Sequence, residues 1–310
     1  MNRRPRVWPL VVLLVLLATV ATAYWQRLAI YDWQRLRGYE APAEIATLAT
    51  ETTMNESARR LFYVHRPLLN DRTQFTQNCS DFGEHTIVLG CYVSQTGIYI
   101  FDVQDERLQG VEQVTAAHEL LHAAYDRLDT SERTRIDELT EQVLTSLKDQ
   151  RIKDTIENYR KRDPMVVSNE LHSIIGTEVR ELPEDLETYY KKYFNDRHVV
   201  VTYSEKYESV FTERKNKAEA IEQELQGLKT EIEQRQNTLE ADRKGLDRDR
   251  SGARTEPQID AFNARVTAYN ADIRELNSMI NHYNQLVEQY KAVSLETQEL
   301  FKALDSRPTL

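Results

Sequence analysis

Two imidazoles four residues apart, with a carboxylate directly after the first, stand at His118-Glu119-Leu120-Leu121-His122. On a helix, residues four apart share a face, so each ring can direct a nitrogen at one metal ion. Glu119 emerges beside that face, where it can take a proton from a metal-bound water without serving as a ligand. The surrounding "VTAAHELLHAAYD" favours helix. Ala116, Ala117, Ala123 and Ala124 are good helix formers, small enough to let other elements approach. Leu120 and Leu121 are uncharged, and Thr115 stands three before His118. The spacing predicts a zinc (Zn²⁺) site with His118 and His122 as ligands and Glu119 as general base. The bland competitor is a solvated helix that happens to carry two histidines.

The stretch resembles the zincin metallopeptidases, and the likeness covers residues 86–182: strands, a "HELLH" helix, then a later helix. That resemblance implies hydrolysis of peptide bonds by a zinc-activated water, on a protein or peptide substrate. It also implies an edge strand, such as "GIYIFDV", that aligns an extended substrate. The chain continues "AAYDRLDT" after His122, without the His-x-x-Gly-x-x-His extension, so the likeness to metzincins stops there. Gluzincins carry their third ligand on a following helix, as a glutamate after an asparagine with a small residue three further on. Asn169, Glu170 and Ser173 in "NELHS" match that pattern and make Glu170 the expected third ligand. Ile174 departs from it, because the group often has an acidic residue there. Glu178 lies on about the same helical face and is the alternative, as ligand or as a carboxylate orienting a zinc-bound histidine. His172 points to another face and is expected in packing. Tyr189, Tyr190, Tyr193, Arg197 and His198 are candidate donors to a developing oxyanion, most of them expected to be structural.

These residues need elements to hold them. "APAEIATLATETTMNESARRLFY" reads as helical, and Pro67, "LLNDRT" and Gly83 then break the chain. "TIVLGCYV" and "GIYIFDV" are rich in strand-forming residues and are separated by "SQTG", which predicts a hairpin. The motif helix follows. "LDTSERTRIDELTEQVLTSL" predicts another with Thr130 as N-cap, and "SNELHSIIGTEVREL" a third, capped by Ser168 or Asn169 and ending before Pro183.

The N-terminus differs in kind. Arg3, Arg4 and Arg6 precede an uncharged run from Val7 to Trp25, about the length a bilayer needs. Ala21-Thr22-Ala23 fits a signal-cleavage site, whereas Trp8 at one end and Tyr24 with Trp25 at the other suit the two interfaces of a retained anchor. An uncleaved anchor is the preferred reading, with residues 1–6 cytoplasmic, the remainder extracytoplasmic, and a secreted product the alternative. Arg27, Arg35 and Arg37 weaken the charge asymmetry. Export exposes Cys79 and Cys91 to oxidising conditions and predicts a disulfide between them. The net charge of −10 is spread over mixed-sign segments, without the basic face of a nucleic-acid binder.

Beyond residue 203 apolar residues recur at alternating spacings of three and four: Ile221, Leu225, Leu228, Ile232, Leu239 and Leu246, then Ile259 through Tyr290. That is a heptad seam, and "DRSGARTEP" between the halves has turn chemistry, which predicts an antiparallel hairpin able to dock a protein partner; the alternative is two parallel segments pairing with other chains. A turn near Ser251 to Glu256 would pair Leu246 with Ile259, Leu239 with Val266, Ile232 with Ile273 and Leu225 with Ile280, and would set Arg235 beside Tyr269 and Asn270. Asn263, Asn270, Asn277 and Asn284 repeat every seven residues as polar flanks of the seam.

The expected architecture is an N-terminal transmembrane helix (7–25), an α+β zincin-like catalytic domain (26–203), a coiled-coil helical hairpin (204–304) and a tail (305–310). The expected function is a membrane-anchored zinc metallopeptidase. The alternative is a membrane-anchored coiled-coil scaffold or adhesion protein whose metal site is structural or inactive.

Overall fold

The computed structural model describes residues 8–79 and 88–307. Helix α1 (Trp8–Trp25) contains no charged residue and is followed after one residue by α2 (Arg27–Leu36), bent from it by 63°. No single helix among the described residues is long and apolar enough to cross a membrane alone, although this bent pair passes together by length and composition. The predicted helix from Ala41 onward divides into α3 (Ala43–Glu51) and α4 (Glu56–Val64). Thr53, at φ +54°, turns the chain between them, and the Asn55 side chain caps α4 by accepting from the Ala58 N–H.

Strand β1 (Leu68–Asn70) and helix α5 (Arg72–Asn78) occupy the stretch expected to be only a break. Three residues are too few for periodicity to show a strand, whereas the capping box of Asp71 and Gln74 at α5 is a local signal the sequence does carry. β2 (Gly90–Val93) and β3 (Gly97–Phe101) form the expected hairpin, while Thr86 and Ile87 of the predicted first run lie outside the described residues. The sheet order is β1-β3-β2, with β1 parallel to β3. "GIYIF" is therefore the middle strand, hydrogen-bonded on both sides, and cannot be the edge that meets a substrate. Among the described residues β2 is an edge.

A short turn (Glu106–Leu108) leads into α6 (Val111–Asp126), which carries the motif, followed by α7 (Thr130–Ser146), α8 (Gln150–Arg162), α9 (Val167–Glu178) and α10 (Glu184–Tyr190). Two predicted caps move. Asp129 rather than Thr130 caps α7, its carboxylate accepting from the Glu132 N–H at 2.9 Å. Helix α9 starts before Ser168 and Asn169, at Val167, with no side-chain cap, which frees Asn169 for the site. α6 runs through the middle of the core: Ala116, Ala117, Leu120, Leu121, Ala123 and Ala124 are all buried. The two leucines alone contribute about 1.5 to 3 kcal/mol each by burial. Gly176 on α9 lets the two helices close, since a Cβ there would stand 2.5 Å from Leu121 Cδ1 and 2.7 Å from Tyr190 Cε1.

The chain divides into two units, the first running to Tyr207 and resuming at Leu304, the second Glu208–Ala303. Helices α11 (Arg197–Asp249) and α12 (Glu256–Leu304) each contribute to both. In the second unit they are antiparallel: His282 meets Glu224 at 2.9 Å, and Ile221 clusters with Leu286 and Val293. Arg235 does not lie over Tyr269. It pairs with Glu275 and Asp272, because a guanidinium facing two carboxylates at a water-exposed flank is better placed than one on a half-buried ring. The four heptad-spaced asparagines are exposed. The expected tail is not free at its start, since Ser306 is buried and donates to the Val88 carbonyl at 2.5 Å.

Candidate metal centre

The α6 helix sets the His118 and His122 rings one turn apart with centroids 4.6 Å apart and planes nearly perpendicular. Close packing of α9 on α6 then brings Glu170 between them. Its Oε2 lies 3.5 Å from His118 Nε2, and its Oε1 lies 3.7 Å from His122 Nε2. These separations are long for hydrogen bonds. They are close to the roughly 3.3 Å edge between ligand atoms set tetrahedrally around a zinc ion at about 2.0 Å. Glu170 Oε2 is buried and has no hydrogen-bond partner. Ligating atoms of His118, Glu119 and His122 also lie within 4.8 Å of one another, so this group could hold a metal ion.

His122 Nδ1 lies 2.9 Å from Asn169 Oδ1 and 3.3 Å from Ser173 Oγ. A proton on Nδ1, donated to the asparagine, would leave Nε2 facing Glu170 with its lone pair. Asn169 and Ser173 flank Glu170 in the sequence motif, but their bond to the histidine across 47 and 51 residues has no sequence signal.

Glu119 lies beside the two histidines, on the side of α6 that packs against β2. It is 4% exposed, and it accepts from the Tyr92 backbone N–H. Burial pushes its carboxyl up to about 7; His122 and the Tyr92 N–H pull it down, while Glu170 pushes it up. Oε2 of Glu119 is buried without a partner. Gly90 makes room for this carboxylate, because a Cβ at that position would stand 2.6 Å from Glu119 Oε1 and 2.4 Å from Thr115 Cγ2. Cys91, next along β2, is bonded to Cys79, which ties this strand to the end of α5.

For Glu170, burial pushes the carboxyl up, but the neighbouring His118 and His122 rings and the Tyr159 hydroxyl outweigh it and hold the group below its ordinary value. Tyr159, on α8, is a residue that sequence reasoning missed: its hydroxyl bonds to Glu170. Nothing in its local sequence distinguishes it from a packing tyrosine.

The other predicted residues fall away from the centre. Glu178 forms a 2.7 Å ion pair with Arg151, and among the described contacts none joins it to either histidine. His172 is fully buried, with Nε2 2.9 Å from the Tyr189 hydroxyl, and burial lowers its pKa to about 3. Tyr190 donates to the His172 carbonyl at 2.7 Å. Arg197 donates to the carbonyls of Gly176, Val179 and Arg180 and pairs with Glu187, closing the end of α9. His198 sits near Glu187 and Asp196. His172, Tyr189, Tyr190 and Arg197 are buried in the packing of α9 and α10, whereas the His198 side chain is half exposed.

No family model, curated protein or solved structure matches the chain. Its functional reading therefore rests on the geometry of the centre.

Proposed function

We propose that this protein is a zinc-dependent, gluzincin-like peptidase, held at the outer face of a membrane by α1, with His118, His122 and Glu170 as ligands and Glu119 as general base. One observation carries the reading: two imidazole Nε2 atoms and a buried, partly unpartnered carboxylate converge from α6 and α9, with a second buried carboxylate beside them. The nitrogen and carboxylate donors, and their spacing, suit zinc better than a hard cation that prefers oxygen alone. A zinc ion held there would polarise a peptide carbonyl and acidify the attacking water.

Glu119 is suited to the proton transfer. Its pKa near 7 matches neutral working conditions, and its unpartnered Oε2 is the atom that would take the proton and later release it to the leaving amine. Among the described residues β2 is an edge of the sheet, and this strand, whose Tyr92 N–H holds Glu119, is the one against which an extended peptide would lie. For the membrane, the uncharged run from Val7 to Trp25 is 19 residues, within the length range of a single span, of which the described helix α1 alone falls short. Its described side chains from Val11 to Trp25 are all exposed.

The second reading, a membrane-anchored scaffold with a structural metal, draws its support from helices of 53 and 49 residues, longer than a peptidase site requires. The full chain in detergent, incubated with an unstructured polypeptide, separates the two. Peptidase function predicts cleavage that a chelator abolishes and added zinc restores. A scaffold predicts no cleavage with zinc bound.

A further inference from the structure

Helix α2 has two faces of opposite character. The inner face is fastened to the first unit. Asp32 is buried and receives both terminal nitrogens of Arg127, at 2.9 and 2.7 Å. Arg35 donates to the carbonyls of Val64, at 3.0 Å, and Thr96, at 2.8 Å, and Tyr31 donates to Gln95 O at 3.1 Å. Arg127 is the C-terminal cap residue of α6, so α2 is joined directly to the helix that carries both histidines.

The outer face has no such partners. Ile30, Trp33 and Arg37, spaced three and four apart, share one side, where Ile30 is 48% and Trp33 60% exposed. Arg37 lies 5.5 Å from the Trp33 ring centroid, and Arg27 lies 4.5 Å from that of Tyr24. With Asp32 bound inward by Arg127, the charges left outward on this segment are arginines, in a chain whose net charge is −10. Tryptophan with arginine around an apolar patch is the composition of a helix in the headgroup layer.

The 63° bend fixes where that layer is. α2 cannot continue a membrane span, because its inner face carries a buried ion pair and hydrogen bonds to the first unit, neither of which can be moved into hydrocarbon. The apolar run therefore ends at Trp25, and α2 turns away from the axis of α1 with its aromatic and cationic face outward.

We propose that the outer face of α2 rests on the surface of an anionic bilayer, so that through Asp32 and Arg127 the membrane fixes the orientation of α6 and its site. This rests on the reading of α1 as a membrane anchor. The site would then serve substrate segments presented at a set distance from the lipid surface, rather than chains arriving from any direction.

The test uses the full chain with Trp8→Phe and Trp25→Phe, which leaves Trp33 as the single tryptophan of the three. It is reconstituted into vesicles of phosphatidylcholine and phosphatidylglycerol brominated either near the headgroup or near the chain ends. The expected result is roughly twofold quenching of Trp33 emission by the shallow bromines and little by the deep ones, weakened when phosphatidylglycerol is omitted. Vesicle-bound protein whose Trp33 is quenched by neither lipid would overturn the inference while leaving the anchor intact, and would mean that water or protein covers this face. Stronger quenching by the deep bromines would overturn it in favour of an inserted α2. Protein that fails to float with vesicles would overturn the anchor and this inference with it.

Discussion

At the scale of single residues, the site depends on which polar atoms are occupied. His122 Nδ1 is bound by Asn169 and Ser173, leaving Nε2 for a metal, whereas Glu178 is taken by Arg151. Asn169→Ala should therefore weaken zinc binding about 10 to 100-fold in a chelator competition, as loss of an orienting partner does, and Glu178→Ala should leave it unchanged. Burial also sets a pH dependence away from the histidines. Glu112, which accepts from the Val103 N–H, is pushed up to about 7 by burial. Its folded pKa lies above its unfolded value of 4.5. Below that value both states are protonated and the group is neutral to stability. As pH rises from 4.5 to about 7 the unfolded chain ionises first, so the folded state loses stability, and the loss is complete above 7. Glu112→Gln removes this effect. Its melting temperature relative to the parent should climb across that window and level off above it, which thermal scans at several pH values will check.

At the scale of elements, the motif helix was legible because its alanines and leucines favour helix from Ala116 to Ala124, which sets His118 and His122 one turn apart on one face. "NELHS" was legible for the same reason, and Glu170 does lie between the two rings. What the sequence could not convey is contact between elements. Nothing in "TIVLGCYV" singles out Gly90, and only the packing of β2 on α6 shows that its missing side chain is the space Glu119 uses. β3 has the stronger strand composition, yet pairing order rather than composition makes β2 the edge. The helix starts also moved: Asp129 accepts from the Glu132 N–H at α7, and α9 begins after Val166 with no side-chain cap. Gly90→Ala tests the element contact. It should displace Glu119, lower stability by about 1 to 3 kcal/mol as overpacking does, and reduce peptide cleavage while the zinc ligands on α6 and α9 keep their metal. Calorimetry with a metal assay separates these effects.

At the scale of the whole molecule, the heptads gave the direction of pairing in the long helices but not every contact. Apolar spacing fixes which stripe is buried, whereas flanking charges choose their own partners, as Arg235 does with Asp272 and Glu275. Glu224→Cys with His282→Cys, treated at high dilution with a short bismaleimide, should give an intramolecular crosslink, because the Glu224 and His282 side chains meet at 2.9 Å across the antiparallel pair. Crosslinked dimers alone would mean that each helix pairs with another chain.

The proposed reaction turns on Glu119 acting on protons and not on the metal. The full chain and its Glu119→Gln variant, compared for zinc content and for cleavage of an unstructured polypeptide, test this most directly. The predicted result is about one zinc per chain in both proteins and cleavage by the parent only, because the substitution removes a proton acceptor and no ligand. A Glu119→Gln protein that cleaves as fast as the parent, or a parent that holds no zinc, would contradict it.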